Sequence, residues 1–316
     1  MMLKSILVPL DGSPLGEHAL PLACDLARRC GATLRLVHVH ALSPTPILVE
    51  HEPVIDENLV SRALEHEQLY MQQIKSKLCA AIGTDVEIAV EVLDRPLTSV
   101  VNEPLARFLA AYTATLKPDL VVMTTHGYGG FSRFWLGSVA DTLIRMSHVP
   151  ILLLRPSDSL PDFARPPLLK RMLIALDGSP LAEQILPPAF ALGSALKADY
   201  TLLRVVEPFV LPGYRPLGEM YPPSLQATQA AQTHAQNYLE RIAQSRQTNG
   251  GKIQTRVALA AQPASAILVD AQQHNSDLIA LTTHARSGLQ RLLLGSVADK
   301  VLHGATTPVL IYRPEN

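Results

Sequence analysis

The sequence is short of cysteine, of aromatic residues and of any excess of charge. Its three cysteines, Cys24, Cys30 and Cys79, are odd in number and lack Cys-x-x-Cys spacing, which argues against a disulfide framework and a zinc site. Lys and Arg number 27 against 28 Asp and Glu, so the net charge is −1. Without a basic surface field the chain does not attract phosphate backbones, and we expect no nucleic-acid partner.

Long hydrophobic runs are also missing. The first aliphatic run, SILVPLD, spans seven residues and already contains Pro9 and Asp11, so it is too short for a signal peptide or a membrane-spanning helix. We therefore expect a cytoplasmic protein without a membrane partner. A chain of 316 residues with 47% hydrophobic and 17% charged residues is typical of a globular protein with two domains of about 150 residues each.

An internal repeat supports the division into two domains. The segment KSILVPLDGSPL returns as RMLIALDGSPL at an offset of 166 residues, and HGYGGFSRFWLGSVADTLI returns as HARSGLQRLLLGSVADKVL at an offset of 158. A Pro-rich segment without apolar periodicity, residues 156–169, separates the copies and is typical of an exposed linker. We predict one domain at residues 1–155 and a second at residues 170–316.

Each copy contains five short aliphatic runs that alternate with stretches of helical character. Several runs are apolar at every position, which is typical of parallel strands covered by helices on both faces. The predicted strands are 6–10, 34–39, 86–93, 120–123 and 151–154 in the first copy and 173–176, 200–206, 253–259, 278–281 and 309–312 in the second. The sequence therefore predicts an α/β fold of two tandem doubly wound domains, each with a five-stranded parallel sheet.

The fifth strands, PILLLRP and PVLIYRP, are apolar and lie at a sheet edge in this winding. An apolar edge invites pairing with another strand, and a proline at the start of a strand fits an edge position. Because fusion raises the local concentration of one copy around the other, we predict that the two domains pair within the chain as a pseudo-twofold dimer. A homodimer of the whole chain is a second arrangement, and the sequence identifies no protein partner.

Polar residues follow the first strand in both copies. Ligands of parallel sheets bind beyond the carboxyl ends of the strands, where the winding direction reverses. Asp11 and Asp177 come directly after the first strands, and each is followed by Gly-Ser-Pro. These residues can cap the next helix, with Ser13 or Ser179 as the cap, or the Asp can meet a ligand. The sequence leaves both interpretations open.

A glycine-rich segment, HGYGG, follows the fourth strand of the first copy. Its glycines allow positive φ and close backbone approach, and Gly137 and Ser138 open a predicted helix at 139–146. Free backbone N–H groups and the positive end of the helix dipole then face one point, which is the geometry of a phosphate cradle.

Together these motifs resemble the universal stress protein family, and the resemblance covers nearly all of both copies. It implies flavodoxin-like doubly wound domains and a phosphate-binding pattern of Gly, two residues, Gly, nine residues and then Gly-Ser or Gly-Thr. The first copy matches with Gly127 and with the pair Gly137 and Ser138, and Thr124 stands in place of the first glycine.

The second copy departs further from the family pattern. Thr282 and Ala285 stand at the two early glycine positions, whereas Gly295 and Ser296 are intact. Some members of the family bind ATP and others do not, and the glycine pattern separates them. The resemblance therefore implies that the first copy is the better ATP site.

At the adenine end, the resemblance implies an Asp after the first strand and a backbone contact near the end of the second strand. In the first copy the implied nucleotide-binding residues are Pro9, Leu10, Asp11, Val39, Met123, Thr124, His126, Gly127, Gly130, Gly137, Ser138 and Val139. The weaker set of the second copy is Asp177, Val205, Thr282, His284, Gly295, Ser296 and Val297.

Other chemistry-bearing residues give weaker patterns. His38 and His40 alternate on one face of a strand without a third ligand at metal spacing, so we expect no metal site. His126 and His284 precede the loop, where a structural hydrogen bond and an acid–base role both remain open. The sequence contains no Ser-His-Asp spacing and no Gly-x-Ser-x-Gly turn, so we assign no catalytic residue.

The leading hypothesis is an ATP-binding protein with a regulatory or stress-response role, in which ATP lies between the ends of the first and fourth strands. Mg²⁺ can be recruited by the phosphates and the Ser138 hydroxyl, and slow ATP hydrolysis stays open. One alternative is an enzyme of the related adenine-binding α/β class, which would carry an SGGxDS-type loop where this chain has LDGSPLG. The other alternative is a pairing scaffold that has lost its ligand.

Overall fold

The computed structural model divides the chain into two compact units, residues 2–167 and residues 168–316. The parts of the chain that it describes are residues 2–40, 47–49, 52–54, 57–83, 85–94, 104–125, 136–157, 159–163, 165–208, 225–246, 251–283 and 294–315.

The first unit is a parallel sheet with helices between its strands. Its described elements, in chain order, are β1 (Ser5–Leu10), a 3₁₀ helix (Gly16–Ala19), α1 (Leu20–Cys30), β2 (Thr33–Val39), β3 (Ile47–Val49), β4 (Glu52–Val54), α2 (Glu57–Ile82), β5 (Ile88–Leu93), α3 (Leu105–Leu116), β6 (Leu120–Thr124), α4 (Ser138–Met146) and β7 (Ile151–Leu154). The sheet order is β7-β6-β1-β2-β5, with every pair parallel. Strands β3 and β4 form a separate antiparallel pair.

The second unit repeats this arrangement. Its described elements are β8 (Arg171–Ala175), α5 (Pro180–Glu183), α6 (Leu186–Leu196), β9 (Asp199–Val206), α7 (Leu225–Gln244), β10 (Ile253–Leu259), α8 (Pro263–Gln273), β11 (Leu278–Thr282), α9 (Ser296–Gly304) and β12 (Val309–Tyr312). The order of its parallel strands is β12-β11-β8-β9-β10. The predicted doubly wound α/β class is confirmed, with five parallel strands in each unit.

The strand order places the crevice of each unit. In both units the chain builds outward from the first strand to the third, then returns to the other side of the first strand for the fourth and fifth. The winding direction therefore reverses between β1 and β6, and between β8 and β11. Ligands of such sheets bind in the crevice at that reversal, beyond the carboxyl ends of the strands.

The core explains why the aliphatic runs become central strands. Ile6, Leu7 and Val8 of β1 have no exposed surface, and all five residues of β6 are buried. A strand that is covered on both faces must be apolar at consecutive positions, and each fully buried aliphatic side chain contributes about 1.5–3 kcal/mol. The helices supply the two covers.

Strand boundaries differ from the predicted ones by up to two residues. The third strand of the first unit begins at Ile88 rather than at residue 86, while the strands predicted at 151–154, 253–259 and 309–312 match the structure. Helix α3 begins directly after Pro104, which serves as its N-cap with φ −57°. Proline fits there because a helix leaves its first N–H groups unpaired.

Cys24 is buried and Cys30 and Cys79 are partly buried, all three as free thiols. No described helix combines the length and the apolar character needed to cross a membrane. The pairing of the two fifth strands stays a prediction.

Candidate functional site

The turn after β1 is held by the aspartate that ends the strand. The Ser13 backbone N–H donates to Asp11 Oδ1 at 3.0 Å, and the Ser13 hydroxyl donates to the same oxygen at 2.7 Å. The Ser13 Oγ in turn accepts from the Gly16 N–H at 3.2 Å. Asp11 therefore braces the turn and remains exposed at the end of the strand.

The same motif in the second unit has a similar arrangement. Ser179 is the N-cap of α5, and its Oγ accepts from the Ala182 N–H at 3.0 Å. Asp177 Oδ1 accepts from the Ser179 N–H at 2.8 Å. Capping belongs to the serine, while the exposed aspartate holds the turn and faces the crevice.

Each crevice also contains the beginning of a helix. Gly137 is the N-cap of α4 and Gly295 is the N-cap of α9, and neither cap has a side chain to bond the first N–H groups of its helix. The Gly137 N–H donates to the Thr125 carbonyl at 2.8 Å, which ties the start of α4 to the end of β6. The first N–H groups of α4 are thereby aimed across the strand ends and suit an anion.

A cavity of about 230 Å³ lies in the crevice of the first unit. Nine of the predicted residues line it: Pro9, Leu10, Asp11, Val39, Met123, Thr124, Gly137, Ser138 and Val139. The remaining predicted residues of this set, His126, Gly127 and Gly130, lie outside the described part of the chain.

The second unit has a larger cavity, of about 720 Å³, in the equivalent crevice. Its lining includes six of the seven predicted residues: Asp177, Val205, Thr282, Gly295, Ser296 and Val297. His284 lies outside the described residues, as does Ala285.

Sequence reasoning missed the part of each cavity wall that is formed by helix α3 in the first unit and by helix α8 in the second. Leu105 and Leu109 line the first cavity, and Pro263, Ala264 and Ile267 line the second. The rule that ligands bind beyond strand ends applies to the third strand as well, so the residues after β5 and β10 were a usable signal.

Sequence reasoning also missed a buried polar cluster beside the first cavity. His38 Nδ1 donates to the Leu10 carbonyl at 2.9 Å, and Glu67 of α2 lies between the two histidines. Its Oε2 is 2.7 Å from His40 Nδ1, and its Oε1 is 3.6 Å from His38 Nε2. Within the described ranges, no group of three His, Cys, Asp or Glu residues is placed to hold a metal ion.

In each unit a tyrosine of the long helix, α2 or α7, lies near the turn that follows the first strand. The Tyr70 hydroxyl donates to Glu17 Oε1 at 3.3 Å, and burial together with the Glu17 carboxylate raises the pKa of Tyr70. Burial and the Glu183 carboxylate raise the pKa of Tyr238 in the same manner. Each hydroxyl stays protonated and packs the long helix against the turn that carries the aspartate.

With this geometry established, the comparison with known families is decisive. The model of the universal stress protein family matches the chain twice, at residues 2–155 and 169–313. The chain belongs to the universal stress protein family. The two matches make it a tandem universal stress protein.

Individual relatives cover the whole tandem chain. A universal stress protein of Mycolicibacterium smegmatis is 27% identical over 311 residues, which cover 98% of this chain and 97% of the relative. A crystal structure of a universal stress protein from Archaeoglobus fulgidus DSM 4304 has a TM-score of 0.69 at 16% identity, with 100% of both chains covered. A putative universal stress protein from Pseudomonas aeruginosa UCBPP-PA14 has a TM-score of 0.63 at 17% identity and covers 99% of this chain and 94% of its own. The solved structures support the tandem universal stress protein fold.

Proposed function

We propose that the first unit binds an adenine nucleotide, with ATP as the expected ligand, between the ends of β1 and β6. The observation that carries this proposal is that separate parts of the chain meet at one cavity. Residues from the ends of three strands and from the start of α4 line one cavity at the reversal of the winding. These segments are far apart in sequence, and the fold brings their polar groups to the same space.

The ends of the cavity differ in the chemistry they offer. Asp11 supplies a hydrogen-bond acceptor at the β1 end, which suits the amino group of adenine. The uncapped start of α4 supplies N–H donors and the positive end of a helix dipole, which suit phosphate. A volume of about 230 Å³ fits the nucleoside portion, so the phosphates extend along the start of α4. Mg²⁺, where present, is held by phosphate oxygens and by the Ser138 hydroxyl.

We propose binding with a regulatory or stress-response role rather than catalysis. Asp11 is the single carboxylate among the described residues that line the first cavity, and the turn itself uses one of its oxygens. His38 also lines the cavity, but its Nδ1 donates to the Leu10 carbonyl and its Nε2 faces Glu67, so the two groups that could act as acid and base are both engaged in holding the fold. The bound nucleotide acts as a signal that partner proteins read.

The test is direct. The protein is purified without added nucleotide and denatured, and the released material is separated by ion-exchange chromatography. Stripped protein is then titrated calorimetrically with ATP. We expect adenine nucleotide to be released, and ATP to bind with a stoichiometry of one per chain. The absence of both released nucleotide and ATP binding would leave the pairing scaffold as the better function.

A further inference from the structure

The second unit places a permanently charged side chain where the first unit has a histidine. Arg204 of β9 lines the second cavity, and its counterpart at the offset of 166 residues is His38. The Nδ1 of His38 bonds the Leu10 carbonyl, and its Nε2 faces Glu67. The two units therefore present different chemistry at the same point of the second strand.

The guanidinium of Arg204 lies against a glycine and near an aromatic ring. A Cβ built on Gly178 would lie 2.7 Å from Arg204 Cζ and 2.8 and 2.9 Å from its two terminal nitrogens, so one face of the plane covers Gly178. Arg204 Cζ also lies 5.2 Å from the centroid of the Tyr238 ring. Stacking fixes the orientation of the plane and leaves the N–H groups at its edge for hydrogen bonding.

Several other described arginines pair with carboxylates. Arg145 bonds Asp141, Arg171 bonds Asp277 and Arg256 bonds Asp270. Arg204 forms no ion pair or side-chain hydrogen bond with any carboxylate among the described residues. Arg204 is therefore a partly buried guanidinium in the cavity wall that has no carboxylate partner within the described ranges and can accept an anionic ligand.

The surrounding wall is also more cationic than that of the first unit. Lys300, which is exposed on α9, lines the second cavity, and Thr142 occupies its place in the sequence of the first unit. Asp177 and Glu207 are the acidic residues of the described wall, and both are exposed to solvent. A cavity of about 720 Å³ has the volume of a small-molecule site.

We propose that the cavity of the second unit binds a small molecule through a carboxylate or phosphate group that Arg204 holds in a two-pronged contact. The planar fork of a guanidinium matches the two oxygens of either anion. Asp177, at the end of β8, accepts from an amino or hydroxyl group on the same ligand. This site differs from the nucleotide site proposed for the first unit and does not depend on it.

The experiment follows the Arg204 side chain in the full-length protein by NMR. The Nε–H signals of the arginines are recorded from ¹⁵N-labelled protein, and Arg204 is assigned by the loss of its signal in Arg204→Lys. Sodium phosphate and sodium succinate are then titrated separately at pH 7, with ionic strength held constant by sodium chloride. We expect a saturable shift of the Arg204 signal with at least one probe. A response to phosphate alone identifies a phosphate-bearing ligand, and a response to succinate alone identifies a carboxylate.

Two variants test whether the response to the probes comes from Arg204. Arg204→Lys keeps the charge but loses the two-pronged guanidinium. Its titration is followed by the backbone amide signals of the cavity wall, and we expect at least fivefold weaker binding. Arg204→His, which copies the first unit, should weaken binding at least tenfold. The proposal is overturned if neither probe gives a saturable shift in the unmodified protein, or if both variants keep the original affinity. The Arg204 signal is independent of ATP binding in the first unit, so either proposal can fail alone.

Discussion

The two units share strand order, turn chemistry and uncapped helix starts, yet they differ in the side chains that surround their cavities. Buried His40 pairs with partly buried Glu67 in the first unit, whereas the second unit has Val206 at the position of His40 and Ala235 at that of Glu67, if Tyr238 is aligned with Tyr70. The second cavity is also about threefold larger, at about 720 Å³ against 230 Å³. Shared architecture therefore fixes where a ligand can bind, while the wall residues decide which ligand it is.

Two criteria for the better nucleotide site point to different units. The glycine pattern after the fourth strand favours the first unit, and the cavity volume favours the second. Volume measures space for a ligand, whereas the glycines set how closely the backbone can approach a phosphate. We therefore expect the first unit to bind ATP more tightly than the second, and the larger second cavity to accept a different ligand.

The largest expected effect comes from converting the polar pair of the first unit into its apolar counterpart. His40→Val alone removes the shorter of the two histidine contacts of the Glu67 carboxylate and should cost about 2 kcal/mol of stability. The double variant His40→Val, Glu67→Ala removes both partners and should recover most of that loss. The single tryptophan, Trp135, belongs to the first copy, so its fluorescence in urea reports the unfolding of this unit.

The reverse substitutions in the second unit provide the control. Val206→His should destabilise the chain, and adding Ala235→Glu should offset part of that loss, both measured by circular dichroism. Equal costs for His40→Val and for the double variant would show that Glu67 carries no penalty once His40 is removed, which would contradict this prediction.

The next effect concerns the turn after β1. A Cβ on Gly16 would lie 2.6 Å from Asp11 Oδ1, so Gly16→Ala forces the carboxylate to shift from its present position at the end of β1. We expect the affinity of the first unit for ATP to fall about tenfold, which corresponds to about 1.4 kcal/mol. Calorimetric titration measures this change.

The second unit offers the matched control, because it already has Ala182 at this position. Ala182→Gly should leave ATP binding unchanged. If Gly16→Ala bound ATP as tightly as the unmodified chain, Asp11 would have no role in holding the nucleotide.

A smaller effect is expected at the glycine-rich segment, which lies outside the described residues, so this prediction depends on the sequence alone. If Gly127 adopts positive φ or touches a phosphate, Gly127→Ala costs about 1 kcal/mol, a fivefold to tenfold loss of ATP affinity. Ala285→Gly should in turn raise the ATP affinity of the second unit. An unchanged stoichiometry and affinity in Gly127→Ala would contradict the glycine argument.

The sequence predicted the parts of this molecule that follow from periodicity and strand-end chemistry. Runs such as 151–154 are apolar at every position, so their state as central strands could be inferred locally. Asp11 and Gly137 could be inferred because they directly follow a strand or begin a helix.

The rest depends on which long-range neighbours the fold brings together. Glu67 lies on a 26-residue helix whose polar positions are numerous, and nothing in their spacing indicates that this one meets the histidines of β2. The stacking of Arg204 on Gly178 likewise joins a residue of β9 to the turn that follows β8. The three-residue strands β3 and β4 are too short for an alternating pattern to be detected.

The smallest expected effect lies at the end of the second helix of each unit. The C-cap residue that follows helix α1 is Gly31, with φ 63°, whereas the C-cap residue that follows α6 is Lys197, with φ 53°. A side chain in this left-handed conformation is strained, and glycine is not, so Lys197→Gly should stabilise the second unit by about 0.5–1 kcal/mol. The Lys197 side chain is exposed, so little packing is lost.

Circular dichroism in urea should show a later transition, while the fluorescence of Trp135 in the first copy should be unchanged. Gly31→Lys is the mirror variant and should shift the fluorescence transition to lower urea by a similar free energy. A destabilised Lys197→Gly variant would mean that the lysine stabilises the end of α6 by more than its backbone strain costs.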